Sequence, residues 1–349
     1  MPAFSYMVFA GLVNDNEKTE CMKSKRIVIA GGTGFIGQQL VGYFGKDNHI
    51  VVLSRTSVSA HNNAYTNTLL HPQYGYDVTY RRWDAAHVEK HWAQELEGAD
   101  LVINLAGRTV NCRYTDRHKK EILDSRTQAT HTLGEAIRRC AVPPKLWINA
   151  SSATIYRDAS DRPQDEYTGE FHNDFSVQVC KRWEKTFYEQ QTPFTRKVAL
   201  RMAITLSNGG VLVPYFRLLK FGLGGRQGSG RQMYSWVHAE DVCRLAEWMY
   251  QHPECEGTYN CAAPNPVTNG FFMKTLRQAA GHRIGLPAPG WMLAIGAKLI
   301  GTETELLLKS RWVVPTRLMQ AGFVFKYPKL EMALQSIIAQ TPREQYHLL

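Results

Sequence analysis

Arg26-Ile27-Val28-Ile29-Ala30-Gly31-Gly32-Thr33-Gly34-Phe35-Ile36-Gly37 is the stretch that decides the fold. A short run, mostly aliphatic and β-branched, breaks into glycines, and behind them Phe35, Ile36, Leu40 and Phe44 recur at helical spacing. That order is strand, tight turn, helix. Gly31, Gly34 and Gly37 form G-x-x-G-x-x-G. The first glycine permits the turn, the second lets backbone approach a pyrophosphate, and the third packs helix on strand while the helix N-terminus attracts the anion. Gly31, Thr33, Gly34, Phe35, Ile36 and Gly37 are therefore candidate contacts for a dinucleotide.

Moving outward, further strands are predicted at Ile50–Leu53, Val78–Trp83, Leu101–Leu105, Leu146–Asn149 and Val198–Leu206, with helices at Asp116–Cys140 and Phe175–Glu189. Thr56–Asp77 is polar and irregular, a loop. Alternating strands and helices predict an α/β, Rossmann-type, doubly wound parallel sheet. The glycine-dense Gly222–Gly230 cannot pack a core and reads as loops lining a cleft, with Trp236–Asp241 returning to the main domain. Pro264–Leu349 reads as a smaller, mostly helical lobe. The expected organisation is a dinucleotide-binding domain at 23–209 and 236–260 and a substrate lobe at 210–235 and 261–345. Residues 1–22 are expected to be a poorly ordered extension, because they show no periodicity and Met22-Lys23-Ser24-Lys25 looks like a natural start.

The end of the second strand discriminates between cofactors. NAD sites usually present an acidic residue there to the ribose 2′-hydroxyl, whereas Ser54 and Arg55 offer a hydroxyl and a guanidinium that suit a 2′-phosphate. NADP(H) is favoured.

The 349 residues are 44% hydrophobic and 21% charged, a globular composition. No run approaches the roughly 18 apolar residues of a membrane span. Met1–Val13 is apolar but lacks the basic start and cleavage site of a signal peptide. Seven cysteines without C-x-x-C spacing speak against disulfides and structural zinc, so no metal is expected and the cytoplasm is the expected compartment. The formal charge of +10 is interleaved with acids, as in Asp116-Arg117-His118-Lys119-Lys120-Glu121, and reads as solvated surface rather than a nucleic-acid footprint. The expected partner is a small molecule, with the chain a monomer or homodimer.

GGTGFIG, the NLAG of Asn104–Gly107 and the SSATIY of Ser151–Tyr156 resemble the extended short-chain dehydrogenase/reductase family, which includes sugar-nucleotide epimerases and dehydratases. DSRTQAT (Asp124–Thr130), Trp183-Glu184, GLGGRQGSGRQMYSWVHAED, TYNCAAPNPVT and VPTRLMQAGFVFKYPKLEMAL resemble its atypical "epimerase family" branch, some members of which are described as cell-division inhibitors. The resemblance spans residues 25 to 340. It implies that Asp84 contacts adenine, that Leu105, Ala106 and Gly107 lie beneath the cofactor, and that Glu121 and Arg126 face its ribose and phosphates.

Catalysis in the family uses a Ser or Thr that orients the substrate oxygen, a Tyr that moves the proton and a Lys four residues later that lowers the Tyr pKa. Ser152 matches the first. No tyrosine matches the second, because the helix reads Phe175-Ser176-Val177-Gln178-Val179-Cys180-Lys181. Counting forward from Ser152 places Lys181 at the lysine position, and counting back from Glu184 places Cys180 there. Tyr156 is the nearest phenol, either the replacement proton donor or a packed tyrosine. Cys180 on an apolar face and His238 at a strand end read as structural. Two functions follow. One is an NADP-dependent oxidoreductase or epimerase-type enzyme acting on a carbonyl compound or nucleotide sugar. The other is an NADP(H)-binding sensor with weak or no catalysis.

Overall fold

Strand β1 (Arg26–Ala30) is an interior strand, third from one edge of a seven-stranded sheet, and the following helix, α1 (Phe35–Phe44), packs back over it. The computed structural model describes residues 22–55, 76–289 and 309–348. The chain next forms β2 (His49–Ser54) and β3 (Val78–Arg82), each parallel to its predecessor. A short helix, α2 (Lys90–Ala93), leads to β4 (Leu101–Asn104), which returns to the other side of β1. The sheet continues through α3 (Asp116–Arg138), β5 (Leu146–Ser152), α4 (Phe175–Tyr188) and β6 (Arg196–Met202).

Both faces of this sheet are covered, so its strands read as near-continuous apolar runs. The pleat divides them. Ile27, Ile29, Ile50, Val52, Leu101 and Ile103 share one core with Leu40 and Phe44 of α1, and Val28, Val51, Leu53, Val102 and Trp147 share another with Leu133 and Ile137 of α3 and Phe187 of α4. Asn104 and Asn149, on adjacent strands, are two of the buried polar residues that interrupt them. Asn104 Nδ2 donates to Asn149 Oδ1 (2.7 Å) and to Thr130 Oγ1 (3.1 Å), and Trp183 Nε1 donates to Thr130 Oγ1 (3.0 Å). Strands β4 and β5 are thereby locked to α3 and α4 below the carboxyl edge of the sheet.

The strand predicted at Val198–Leu206 is two. Ala203 donates its amide to Cys261 O (3.0 Å), and β7 (Ile204–Leu206) then pairs with β9 (Trp236–His238) outside the main sheet. Hydrophobicity runs unbroken through the bend, so periodicity could not find it. Between β7 and β9 lie α5 (Leu212–Lys220) and β8 (Met233–Tyr234). After β9 come α6 (Ala239–Gln251) and β10 (Gly257–Cys261), the seventh strand of the sheet, which the sequence had yielded only as part of a family motif. The sheet order is β3-β2-β1-β4-β5-β6-β10.

A third hydrophobic core lies apart from these two. Phe216 and Leu219 of α5, Phe272 and Leu276 of α7 (Asn269–Ala279), and Leu334 and Ile337 of α9 (Leu330–Ala339) meet there. The short α8 (Thr316–Gln320) packs instead beside β10. Of the expected extension, residues 1–21 lie outside the described residues. Met22, placed in it, is instead 4% exposed in the main core, its amide donating to Glu247 Oε1. No helix among the described residues is long and apolar enough to cross a membrane.

Candidate functional site

The chain leaves β1 toward β2 and β3 on one side and resumes at β4 on the other, so a crevice opens at the carboxyl ends of β1 and β4. Gly31 and Leu105-Ala106-Gly107 meet in it. Gly31 has φ +78°, and a Cβ there would lie 3.0 Å from Leu105 C and 3.1 Å from Ala106 N. At the third glycine a Cβ would come 2.5 Å from Gly32 Cα. Helix α1 therefore starts hard against the turn, capped by exposed Gly34, which supplies no side chain to satisfy the first amides. Those of Phe35 and Ile36 have no intrahelical acceptor, and no acid stands in the first turn. This bare, positively polarised backbone fits a pyrophosphate. Thr33 keeps the loop in place through its carbonyl, which accepts from Gln38 Nε2 (2.9 Å).

At the carboxyl end of β2, Ser54 is buried and Arg55, just beyond the strand, is exposed. Arg82, which the sequence reasoning passed over, is exposed directly beside Ser54 in the β2–β3 register. Strand order was needed to bring the two arginines to one edge. Asp84 is exposed and turned on its own chain, accepting from the amides of Ala86 (2.8 Å) and His87 (2.9 Å) and pairing with the His87 ring, which holds its carboxyl well below the usual range. Glu121 pairs with Arg108 and Arg117 in the early turns of α3. Both carboxylates that the family resemblance assigned to the cofactor are thus engaged by neighbouring protein groups.

A cavity of about 350 Å³ continues from Phe35 and Ile36 to the end of β5. Ser152 lines it. Its Oγ accepts from Thr154 N (3.2 Å) and from Thr154 Oγ1 (2.9 Å), which leaves the Ser152 hydroxyl proton without a protein acceptor among the described residues. Thr154 Oγ1 also lies 3.4 Å from Cys180 Sγ. On α4 the cavity-lining residues Ser176 and Cys180 are four apart and therefore share a face. Counting back from Glu184 gives Cys180 the place of the family's lysine and so gives Ser176, four residues earlier, that of its tyrosine. Burial raises the Cys180 thiol, which stays protonated at neutral pH.

The register of α4 corrects one expectation. Lys181 points away, exposed, with Nζ 5.8 Å from the centre of the Phe171 ring, and of the two counted residues it is Cys180 that lines the cavity. Tyr156 is corrected as well. It is 1% exposed, and its hydroxyl sits inside a closed network, accepting from Arg201 Nη1 (2.7 Å) and donating to Asn260 Oδ1 (2.9 Å). Arg201 in turn makes a two-pronged pair with Glu184 (2.8 Å each), which accepts from Ser151 Oγ (2.6 Å). The 3₁₀ turn after Ser152 swings Tyr156 beneath the cavity floor. His238 caps α6, its Nδ1 accepting from Glu240 N (3.1 Å) while its ring packs on Tyr327. Arg126 faces the cavity from α3, over the Trp183 ring (5.2 Å).

A doubly wound sheet with a glycine turn at its switch point and a serine at the end of the fifth strand defines a dinucleotide-binding protein of the short-chain dehydrogenase type. Residues 27–182 match the NAD dependent epimerase/dehydratase family, and residues 288–337 match DUF1731, a domain of unknown function. An epimerase family protein of Staphylococcus saprophyticus is 33% identical over 317 residues, 90% of this chain and 99% of that protein, and YfhF of Bacillus subtilis is 31% identical over 90% and 98%. The chain belongs to the NAD-dependent epimerase/dehydratase family. Human epimerase family protein SDR39U1 (isoform 2), solved with NADPH, superposes with a TM-score of 0.75 at 27% identity, covering 90% of this chain and 99% of that one. UDP-N-acetylglucosamine 4-epimerase from Bacillus cereus shares the fold (TM-score 0.69, 18% identity, 91% and 99% covered).

Proposed function

We propose that the chain binds NADP(H) and acts as an oxidoreductase on a small carbonyl compound held in the cavity beside Ser152. The carrying observation is that one cavity joins the glycine turn, through Phe35 and Ile36, to the uncommitted Ser152 hydroxyl. NADPH, when bound, supplies the hydride. The chain's part is to hold the pyrophosphate on the amides at the start of α1, to meet the 2′-phosphate at the edge carrying Arg55 and Arg82, and to donate the Ser152 hydroxyl to the substrate oxygen. NADPH in the SDR39U1 structure supports this cofactor choice. At about 350 Å³ the cavity is near the lower end of ligand sites, roughly 300–1,000 Å³, which favours a small compound over a nucleotide sugar.

Ser176 and Cys180 favour a second reading. Neither an aliphatic hydroxyl nor a protonated thiol supplies the acid that a phenol beside an ammonium does, so the chain could hold NADP(H) as a sensor with little turnover. NADPH should raise the melting temperature more than NADH, and Arg55→Ala and Arg82→Ala should each shrink that difference. Equal shifts for the two nucleotides would remove the NADP assignment. A screen of carbonyl compounds for NADPH oxidation then separates enzyme from sensor, because tight binding without any turnover leaves only the latter.

A further inference from the structure

Each hydroxyl carries a single proton, and that decides the direction of the hydrogen bonds joining Ser152, Thr154 and Cys180. The 3₁₀ turn after β5 folds Thr154 back on Ser152, whose Oγ accepts from Thr154 N (3.2 Å) and from Thr154 Oγ1 (2.9 Å). Both lone pairs of Ser152 are therefore taken, and its hydroxyl can act only as a donor. Thr154 has given its one proton to that bond, so in its 3.4 Å contact with Cys180 Sγ the oxygen accepts and the thiol donates. Cys180 makes no other hydrogen bond among the described residues. It is buried on α4, Ser152 and Thr154 are half-buried, and all three line the cavity. The protons thus run one way, from S–H to Oγ1–H to Oγ–H, and the last is free to point into the cavity.

We infer that Thr154 and Cys180 are positioning residues that feed a proton through Ser152 to the substrate oxygen, in the place left by the family's tyrosine and lysine. This rests on the proposed function in taking a carbonyl compound as the substrate. A carbonyl that has received hydride at carbon carries an alkoxide. That oxygen takes the Ser152 proton, Ser152 takes the proton of Thr154, Thr154 takes that of Cys180, and the negative charge ends on sulfur until solvent returns a proton. No further oxidant or reductant takes part. A thiol is a far stronger acid than an aliphatic hydroxyl, so the sum of these transfers runs toward the alcohol. Singly, neither group replaces the phenol; in series the hydroxyls contribute reach and the thiol contributes the acid. Burial raises the Cys180 thiol and Glu184 adds to the rise, whereas Thr154, Arg126 and Arg201 oppose it. The proton therefore sits on sulfur at rest, and the charge it leaves behind has two guanidinium groups nearby.

The sulfhydryl stretching band in Raman spectra of the full chain tests the direction without any substrate, with Cys180→Ala supplying the difference spectrum that isolates this one thiol. The Cys180 band should lie at the lowered frequency of a donating S–H. Thr154→Val should move it up to the position of a free thiol, and Thr154→Ser should leave it low. A free-thiol band in the unmodified chain, or a band that Thr154→Val does not move, overturns the inference. If Thr154→Val does not fold, Thr154→Ala removes the same oxygen and should give the same shift, whose absence overturns the inference equally. With a carbonyl compound found by the NADPH screen, Thr154→Val and Cys180→Ala should each lower kcat at least about tenfold while KM stays within about threefold, and Thr154→Ser should recover most of the loss. Full kcat in either of the first two variants overturns the inference. A Thr154-dependent band in a chain that binds NADPH and turns over no carbonyl compound supports the ordered chain and sinks the oxidoreductase reading alone.

Discussion

Gly37→Ala and Gly34→Ala should fail in opposite ways. A methyl on residue 37 would sit 2.5 Å from Gly32 Cα, 2.6 Å from Gly31 O and 2.7 Å from Gly32 C. Carbon atoms pack at about 3.5–4.0 Å, so α1 would have to withdraw by about 1 Å. All three obstacles are backbone and none can rotate aside. Overpacking of this kind costs about 1–3 kcal/mol, and a rigid wall puts it near the upper figure, about 3 kcal/mol. Gly34 differs. Its φ of −75° suits any residue, and a methyl there meets only Gly31 O, at 3.3 Å. The stability change should stay within about 0.5 kcal/mol, yet the methyl stands at the helix N-terminus where the pyrophosphate must approach. Urea unfolding and NADPH fluorescence titration read the two effects separately. Gly37→Ala should lower the unfolding midpoint, whereas Gly34→Ala should keep it and weaken NADPH binding by at least about tenfold. An unchanged midpoint for the first, or unchanged NADPH affinity for the second, would refute the reasoning.

Tyr156→Phe should cost about 1–3 kcal/mol of stability by stranding Arg201 Nη1 and Asn260 Oδ1, with activity per folded molecule unchanged; a hundredfold loss of turnover at full stability would restore the phenol as proton donor. Ser152→Ala should leave NADPH affinity intact and reduce turnover of any substrate the screen finds, because its hydroxyl acts on the substrate oxygen. Lys181→Ala should change neither stability nor turnover, its ammonium being exposed, and a large loss of activity would mean that the register of α4 is wrong. Burial depresses His238 from 6.5 to about 4, so the unfolded chain takes up this proton first as pH falls. Its stabilising contribution is complete above pH 6.5 and is lost between 6.5 and 4, amounting to about 2 kcal/mol by pH 5 at 1.36 kcal/mol per pH unit. His238→Asn, which can still cap α6, should flatten unfolding free energy between pH 7 and 5; an unaltered slope would show that other groups set it.

The sequence by itself determined whatever is local. Arg26–Gly37 specified strand, turn and helix because glycine spacing and apolar periodicity act within a dozen residues, and the long helix of Arg126 was legible for the same reason, whereas Ser152 was singled out only by its family motif. Family motifs extended this to the C-terminal segments. Only the tertiary structure decided what depends on which strands become neighbours. Arg82 joins Arg55 at one edge because β3 pairs with β2, and the apolar run through Ala203 splits because Cys261 and Ser235, far along the chain, draw its amides away. The site shows the same division. Lys181 and Cys180 are adjacent in sequence and about 100° apart around a helix, so one-dimensional counting left both open until the packing of α4 turned Cys180 inward. Tyr156 lies four residues from Ser152 in sequence, yet a single 3₁₀ turn carries its hydroxyl to Arg201 and Asn260. Side-chain direction is set by what the backbone packs against, and no spacing in the sequence encodes it.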